Sequence, residues 1–519
     1  MKILKDFRWG LTGERQSMAI ASGRVLWRDA RAELPPGAEV ENLDGKWLLP
    51  SFIDGHCHIL PTGLFLAALD LATASSHEEV LAAVRDFHDQ HPDGWLLAVN
   101  YDQNRYPEGH LNRSQLDAIA PNRPVILRHV TGHASVANSQ ALVAAQVTED
   151  VLDPAGGTFQ RDAAGRLTGV LFEDAHDLVT KAMPTPTVAE MARAIHLAGE
   201  SMASYGIACA SDMMTGRYDL LGELDAYRFA AENGCPIRTR LYLQWKEVFG
   251  PKALPLERIL ERLEGADESR VRINGIKIFA DGAIGSATAA IYGSYTGREP
   301  NGAIVSRYAQ PVSGSSADGR PTSGQLIYNP SRLHDMVIRA HDAGYEVAVH
   351  SIGDYSTDLV LDAFEATGEP ARHRLEHAMI LSDAQIERIA RLVVRVTFQP
   401  EFLARFGYAY QQQLGPERTA KLKRTRSVLD AGIPLSFNSD RPIVAGNPWD
   451  GIHAAENRPE GFDPAENCSR LEALLAATRG NAVANRDADM ATLEPGSLAD
   501  YMVLDFDPLT DNPVQSDHA

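Results

Sequence analysis

The chain predicts an α/β fold: a barrel of parallel βα units beside a smaller β domain built from both ends. Two observations carry this. Eight apolar runs of strand length alternate with helical stretches through the middle of the chain, and the two ends share a texture of short strands and turns. The length of 519 residues, beyond one ordinary domain, agrees with a large unit and a smaller companion. Residues 1–48 with 490–519 are assigned to the small domain, and 49–489 to the barrel with its insertions.

In chain order, residues 1–47 read as short strands, for instance 23–27, with a break at Pro35-Pro36-Gly37; such strands cannot hold a core alone. The eight barrel runs are 48–53, 124–127, 206–210, 271–279, 345–349, 374–376, 394–398 and 434–437. Helical periodicity falls at 77–87, 188–205, 333–343, 384–391 and 471–477. The intervals 59–123 and 131–186 are too long for one helix and two loops, so they are expected to be insertions that act as lids. Residues 311–321, rich in Gly, Ser and Pro, read as a flexible loop. Residues 496–504 read as a turn entering a strand that completes the small domain. Aromatics in 95–106 and 402–410 either line a pocket or pack a lid, packing being the ordinary role.

A hydrophobic fraction of 44% and a charged fraction of 23% place the chain among globular proteins, and no span is apolar enough to cross a bilayer. Residues 1–8 lack the apolar stretch of a secretion signal, so a cytoplasmic location is expected. The net charge of -20 argues against nucleic acid and anionic membrane as partners, since both need a basic footprint. The basic run at 421–426 lies in a helical pattern and reads as a solvated face. Cys57, Cys209, Cys235 and Cys468 are scattered without C-x-x-C pairs, which suggests reduced thiols and neither a disulfide framework nor a structural zinc site. A small molecule is the expected partner, and a homodimer would be unsurprising on general grounds.

Six residues carry the chemistry. Phe52 to His58 is an apolar run ending in His-Cys-His, and strand alternation turns His56 and His58 the same way, close enough to share one metal, with Cys57 turned away. Lys277 sits in the apolar strand 271–279, where a buried amine needs a partner: either a carboxylate such as Asp281, or carbon dioxide, which would convert it to an anionic carbamate able to ligate. His350 and His377 each close an apolar strand, and their spacing of 27 residues fits one strand-helix-strand unit. Asp440 follows the last strand; alone it would be an ordinary turn former. No purely structural role predicts all six in this order along the strands.

These motifs, with Gly132-His133-Ala134, Asn138-Ser139, G-I-K-I-F-A-D-G-A-I-G-S, V-A-V-H-S-I-G-D, R-L-E-H-A, N-S-D-R-P and A-D-Y-M-V-L-D, resemble the amidohydrolase superfamily over nearly the whole chain. The likeness is to its YtcJ-like (amidohydrolase-3) branch, which includes N-substituted formamide deformylases. The resemblance implies a (β/α)8 TIM barrel with a small β-sandwich domain formed by both termini. It also implies one or two divalent metal ions, zinc being the expected one although manganese or iron suit the same donors. His56, His58 and Asp440 would hold one ion, His350 and His377 a second, with a carbamate on Lys277 between them. The implied reaction is hydrolysis of an amide-type C–N bond, other than a peptide bond, in a small molecule. In it Asp440 serves as general acid and base for metal-activated hydroxide, while His133 or the second ion polarises the carbonyl. Glu173 is the reserve candidate for a further ligand or pocket acid. The alternatives are an isomerase or decarboxylase on the same scaffold, or a non-catalytic barrel.

Overall fold

A computed structural model describes the whole chain apart from residues 31–36, 155, 297–309, 313, 512 and 514–519. The expected Pro35-Pro36 break lies outside the described residues. The chain divides into two compact units, Met1–Leu60 with Ala198–Ala519, and Pro61–Leu197.

The first unit contains an eight-stranded parallel sheet in chain order: β1 (Phe52–Cys57), β2 (Ile207–Thr215), β3 (Arg238–Gln244), β4 (Val271–Phe279), β5 (Val347–Ser351), β6 (Arg374–His377), β7 (Arg395–Phe398) and β8 (Leu435–Phe437). The sheet is nearly closed into a barrel. Seven of the eight predicted runs enter it. The eighth, 124–127, belongs to the strand Val125–His129 of the other unit, whereas β3 escaped the apolar-run criterion. Its sequence, RTRLYLQ, carries two arginines, and both are neutralised only in the fold: Arg240 by Asp487 and Arg238 by Asp500, at 2.9 and 2.8 Å. A strand whose charges are paired by distant residues does not look buried in one dimension.

Side chains complete the seam between β8 and β1. Asn481 donates from Nδ2 to the carbonyls of Ile53 and Phe437, each at 2.6 Å, and Asp54 accepts from the Ser439 amide at 3.1 Å. Just beyond the strands, Asp440 N donates to His56 O and His58 N to Arg441 O, both at 2.8 Å. Gly55 leaves the room this strap needs, because a Cβ there would lie 2.2 Å from Asn481 Oδ1. Gly55→Ala is therefore expected to cost about 1–3 kcal/mol by overpacking, read as a lower denaturation midpoint; an unchanged midpoint would remove Asn481 as the strap.

The two ends of the chain form one six-stranded sheet from Lys2–Trp9, Arg15–Ala21, Arg24–Asp29, Glu39–Asn42, Trp47–Pro50 and Tyr501–Leu504. Leu4, Phe7, Met18, Val25 and Leu48 make its core. The second unit has its own six-stranded sheet and two apolar clusters, one around Val80, Leu96, Tyr101 and Leu116, the other around Leu142, Phe159 and Leu171. The intervals expected to be lids thus carry a core of their own. Helices form at His77–Gln90, Val188–Ser204, Pro330–Asp342, Asp383–Leu392 and Arg470–Leu475, close to the periodic stretches. The segment read as a flexible loop is paired instead: Gly314–Ser315 lies against Pro321–Ser323, and Arg320 stacks 3.6 Å from the Tyr292 ring centre. Tyr410 packs into a core with Leu403 and Phe462, and Phe406 packs against it. Among the described residues no helix is long and apolar enough to cross a membrane, and the four cysteines are buried thiols outside any disulfide.

Candidate metal centre

Parallel strands deliver their C-terminal ends to one rim, where β/α barrels carry their chemistry. Here that rim receives His56 and His58 from the end of β1, Lys277 from β4, His350 from β5, His377 from β6 and Asp440 from the loop after β8. His56, His58 and Asp440 each offer a ligand atom within 4.8 Å of the others. Asp440 Oδ1 lies 2.9 Å from His58 Nε2 and 3.5 Å from His56 Nε2. Lys277 Nζ is 3.4 Å from His56 Nε2, and the His377 ring centre lies 4.7 Å from that of His56 and 4.5 Å from that of His350. Cys57 turns away, its thiol donating to the Ser211 carbonyl at 3.4 Å.

Two of these residues depend on a backbone that period-2 alternation does not provide. On β6, Arg374 and Glu376 share a face, and an ideal strand would turn His377 to the opposite one. His377 has φ 72° and Asp440 φ 58°, left-handed values uncommon for residues with a Cβ. At His377 this breaks the alternation, so Glu376 and His377 both reach the His56 ring. Such strain is retained where the surrounding structure over-determines it, commonly at functional sites.

The second layer explains which nitrogen each imidazole presents. His56 Nδ1 is hydrogen-bonded to Glu376, itself paired with Arg374, and both of those side chains are fully buried. That leaves His56 Nε2 facing Asp440. His377 Nδ1 meets Gln399 Oε1 at 2.9 Å, and His350 Nε2 meets the Gly282 carbonyl at 3.0 Å. Glu376 and Gln399 were not singled out from sequence; the signal for Glu376 was an acid inside an apolar strand next to a candidate ligand.

Electrostatics favour proton-free donors. Burial lowers the imidazoles, His56 to about 4 and His350 to about 3, and puts His377 well below the ordinary value, so all three are neutral at pH 7. Burial would raise the Asp440 carboxyl, but His56, His58 and Lys277 together outweigh it and hold it at about 2. Burial pushes the Lys277 amine down to about 8, with Glu376 and Asp440 opposing. Lys277 has no carboxylate within ion-pair distance among the described residues. Asp281 instead accepts from the amides of Ala290, Ile352 and Gly353 and from Ser356 Oγ. His58 Nδ1 and Asp440 Oδ1 are buried without a hydrogen bond of proper geometry. Neutral imidazoles, an anionic carboxylate and orphaned buried acceptors are the donor set a divalent cation requires.

His133 and Glu173 belong to the other unit, where they form an exposed pair, Nδ1 to Oε2 at 3.0 Å. The basic run does not form a solvated helical face. Lys423 is 1% exposed at φ 46°, Arg424 pairs with Glu466, and Arg426 with Glu472. The helix starts only at Thr425.

A barrel rim with this donor set defines the class, a metal-dependent hydrolase, and the comparisons agree. The model of the amidohydrolase family matches residues 39–518, and the chain belongs to that family. It is 30% identical to YtcJ of Bacillus subtilis (strain 168), over 92% of this chain and 88% of that one. It is 28% identical to the N-substituted formamide deformylase of Arthrobacter pascens, over 95% and 90% of the two chains. Among solved structures, an uncharacterized metal-dependent hydrolase from Pyrococcus furiosus superimposes with a TM-score of 0.79 at 30% identity, covering 98% of this chain and 99% of that one.

Proposed function

We propose that the protein hydrolyses an amide-type C–N bond, other than a peptide bond, in a small molecule, using a metal centre held by His56, His58 and Asp440. The observation that carries this reading is the convergence of those three side chains where the first and last barrel strands meet. When bound, the cation lowers the pKa of water from about 15.7 toward about 7. Asp440, an anion beside the two imidazoles, takes the proton of the attacking water and returns it to the departing nitrogen. His56 is held in one tautomer by Glu376 throughout. His350 and His377 would hold a second ion, with Lys277, as a carbamate, supplying a further anionic ligand. In support, Lys277 is a buried amine of lowered pKa with no carboxylate within ion-pair distance among the described residues. Zinc is the proposed metal, since imidazole and carboxylate donors suit it. His133 is kept as the proposed group on the carbonyl oxygen, and Glu173 as the reserve ligand or pocket acid, as the family resemblance implies.

The finer expectations complete the proposal: a β-sandwich from residues 1–48 and 490–519, a barrel domain over 49–489, a cytoplasmic location, and no nucleic-acid or membrane partner. The likeness to the formamide deformylase makes N-substituted formamides the first compounds to assay, with amides, lactams and carbamates beside them. The expected result is product carrying one oxygen atom from labelled solvent water. Stripping the metal with a chelator should abolish turnover and lower Tm, both returning on adding zinc. Full turnover by protein shown to be metal-free would end the reading.

A further inference from the structure

Lys423 has no part in the chemistry above, and its surroundings are unusual for a lysine. Buried to 1% exposure, it has no carboxylate within ion-pair distance among the described residues. Its Nζ lies 5.2 and 5.7 Å from the ring centres of Phe398 and Phe402. The backbone is pinned, with Lys423 N donating to Met379 O at 2.8 Å and Arg458 Nη1 to Lys423 O at 2.9 Å. Nζ thereby reaches two oxygens, the His377 carbonyl at 3.3 Å and Gln399 Oε1 at 3.0 Å. The same Oε1 lies 2.9 Å from His377 Nδ1, and the other end of the amide, Nε2, donates to Asn438 Oδ1 at 2.6 Å.

An amide can be turned end for end, and only its partners decide which end faces a given neighbour. With Lys423 donating on one side, the Gln399 oxygen must face His377, and the Asn438 amide, which can itself turn, meets the other end with its oxygen. Nδ1 then carries the hydrogen, and Nε2 keeps its lone pair. We propose that Lys423 is a positioning residue that orients the Gln399 amide and thereby holds His377 in the tautomer that presents Nε2 to a metal. This rests on the reading of His377 as a ligand. Lys423 touches no reacting atom, so its effect is on metal affinity.

The test is a zinc titration of the metal-stripped full-length protein against a chromophoric chelator. His377→Ala identifies the zinc equivalent that depends on this side chain. Lys423→Met is expected to weaken that equivalent about 10–100-fold without touching the rest. Gln399→Glu supplies the matched background, because both carboxylate oxygens accept and no lysine is needed to orient them. For the same reason Lys423→Met in the Gln399→Glu background should cost nothing. An equal loss in both backgrounds would show that Lys423 only supports packing, and would overturn the proposal. If His377→Ala loses zinc and Lys423→Met does not, the ligand stands and the positioning role fails; if His377→Ala loses none, the ligand reading itself fails. Should Lys423→Met not fold, as read by circular dichroism, Gln399→Ala against Gln399→Glu replaces it: loss in the first alone is expected, and equal retention in both overturns the proposal.

Discussion

Asp440→Asn is expected to retain metal and to lower kcat by roughly 10²–10⁴-fold, the usual contribution of a general acid-base. Asparagine keeps the shape and one oxygen donor but cannot take a proton from water, so the loss should fall on kcat with KM little changed. The position tolerates little else: Asp440 is 8% exposed, its backbone has φ 58°, and its amide is tied to His56 O at 2.8 Å. Metal analysis beside steady-state kinetics checks this. A metal-replete variant turning over at the wild-type rate would remove Asp440 from the proton path and leave it a ligand alone.

Glu376→Leu should bring the largest loss of stability, about 3–5 kcal/mol, because it strands the Arg374 guanidinium in the barrel interior. Arg374 and Glu376 are 0% exposed, and Glu376 also receives Thr397 Oγ1 at 2.7 Å and the His56 ring. Burial alone would raise this carboxyl, yet Arg374 and His56 hold it well below the ordinary value, as expected of an anion sustained by its partners. Two roles meet here and can be separated. Replacing both partners, Arg374→Met with Glu376→Leu, should recover most of the stability, since apolar replacement of a buried pair is often neutral. It should not recover metal affinity, which is expected to stay about 10–100-fold down because His56 Nδ1 has lost its acceptor. Denaturant unfolding and zinc titration read the two effects apart. Full affinity in the double variant would show that His56 needs no carboxylate behind it.

The barrel was legible because most of its strands are largely apolar runs, and a run that excludes water from both faces needs no knowledge of its neighbours to be recognised. β3 was hidden because its arginines find Asp487 and Asp500 only after the chain has folded back on itself. The strand Val125–His129 was read correctly as a strand and placed in the wrong sheet, since local pattern carries no information about pairing partners. Lys423 shows the same limit for charge. In a basic run the economical reading is a solvated face, and only the placement of Phe398, Phe402 and Gln399 about its Nζ makes it an interior residue.

Alternation alone turns His56 and His58 to one side, and the ends of the apolar runs at 271–279, 345–349 and 374–376 name Lys277, His350 and His377 as their companions. Tertiary structure decided what one-dimensional periods cannot hold. The left-handed backbone at His377 and Asp440 sets those two side chains on the rim. The Glu376 and Gln399 contacts select which imidazole nitrogen is bare, and Asn481 straps the last strand to the first. The physical reason is common to all of these: a strand pattern records burial residue by residue, whereas direction, tautomer and closure are set by hydrogen bonds between residues tens to hundreds of positions apart.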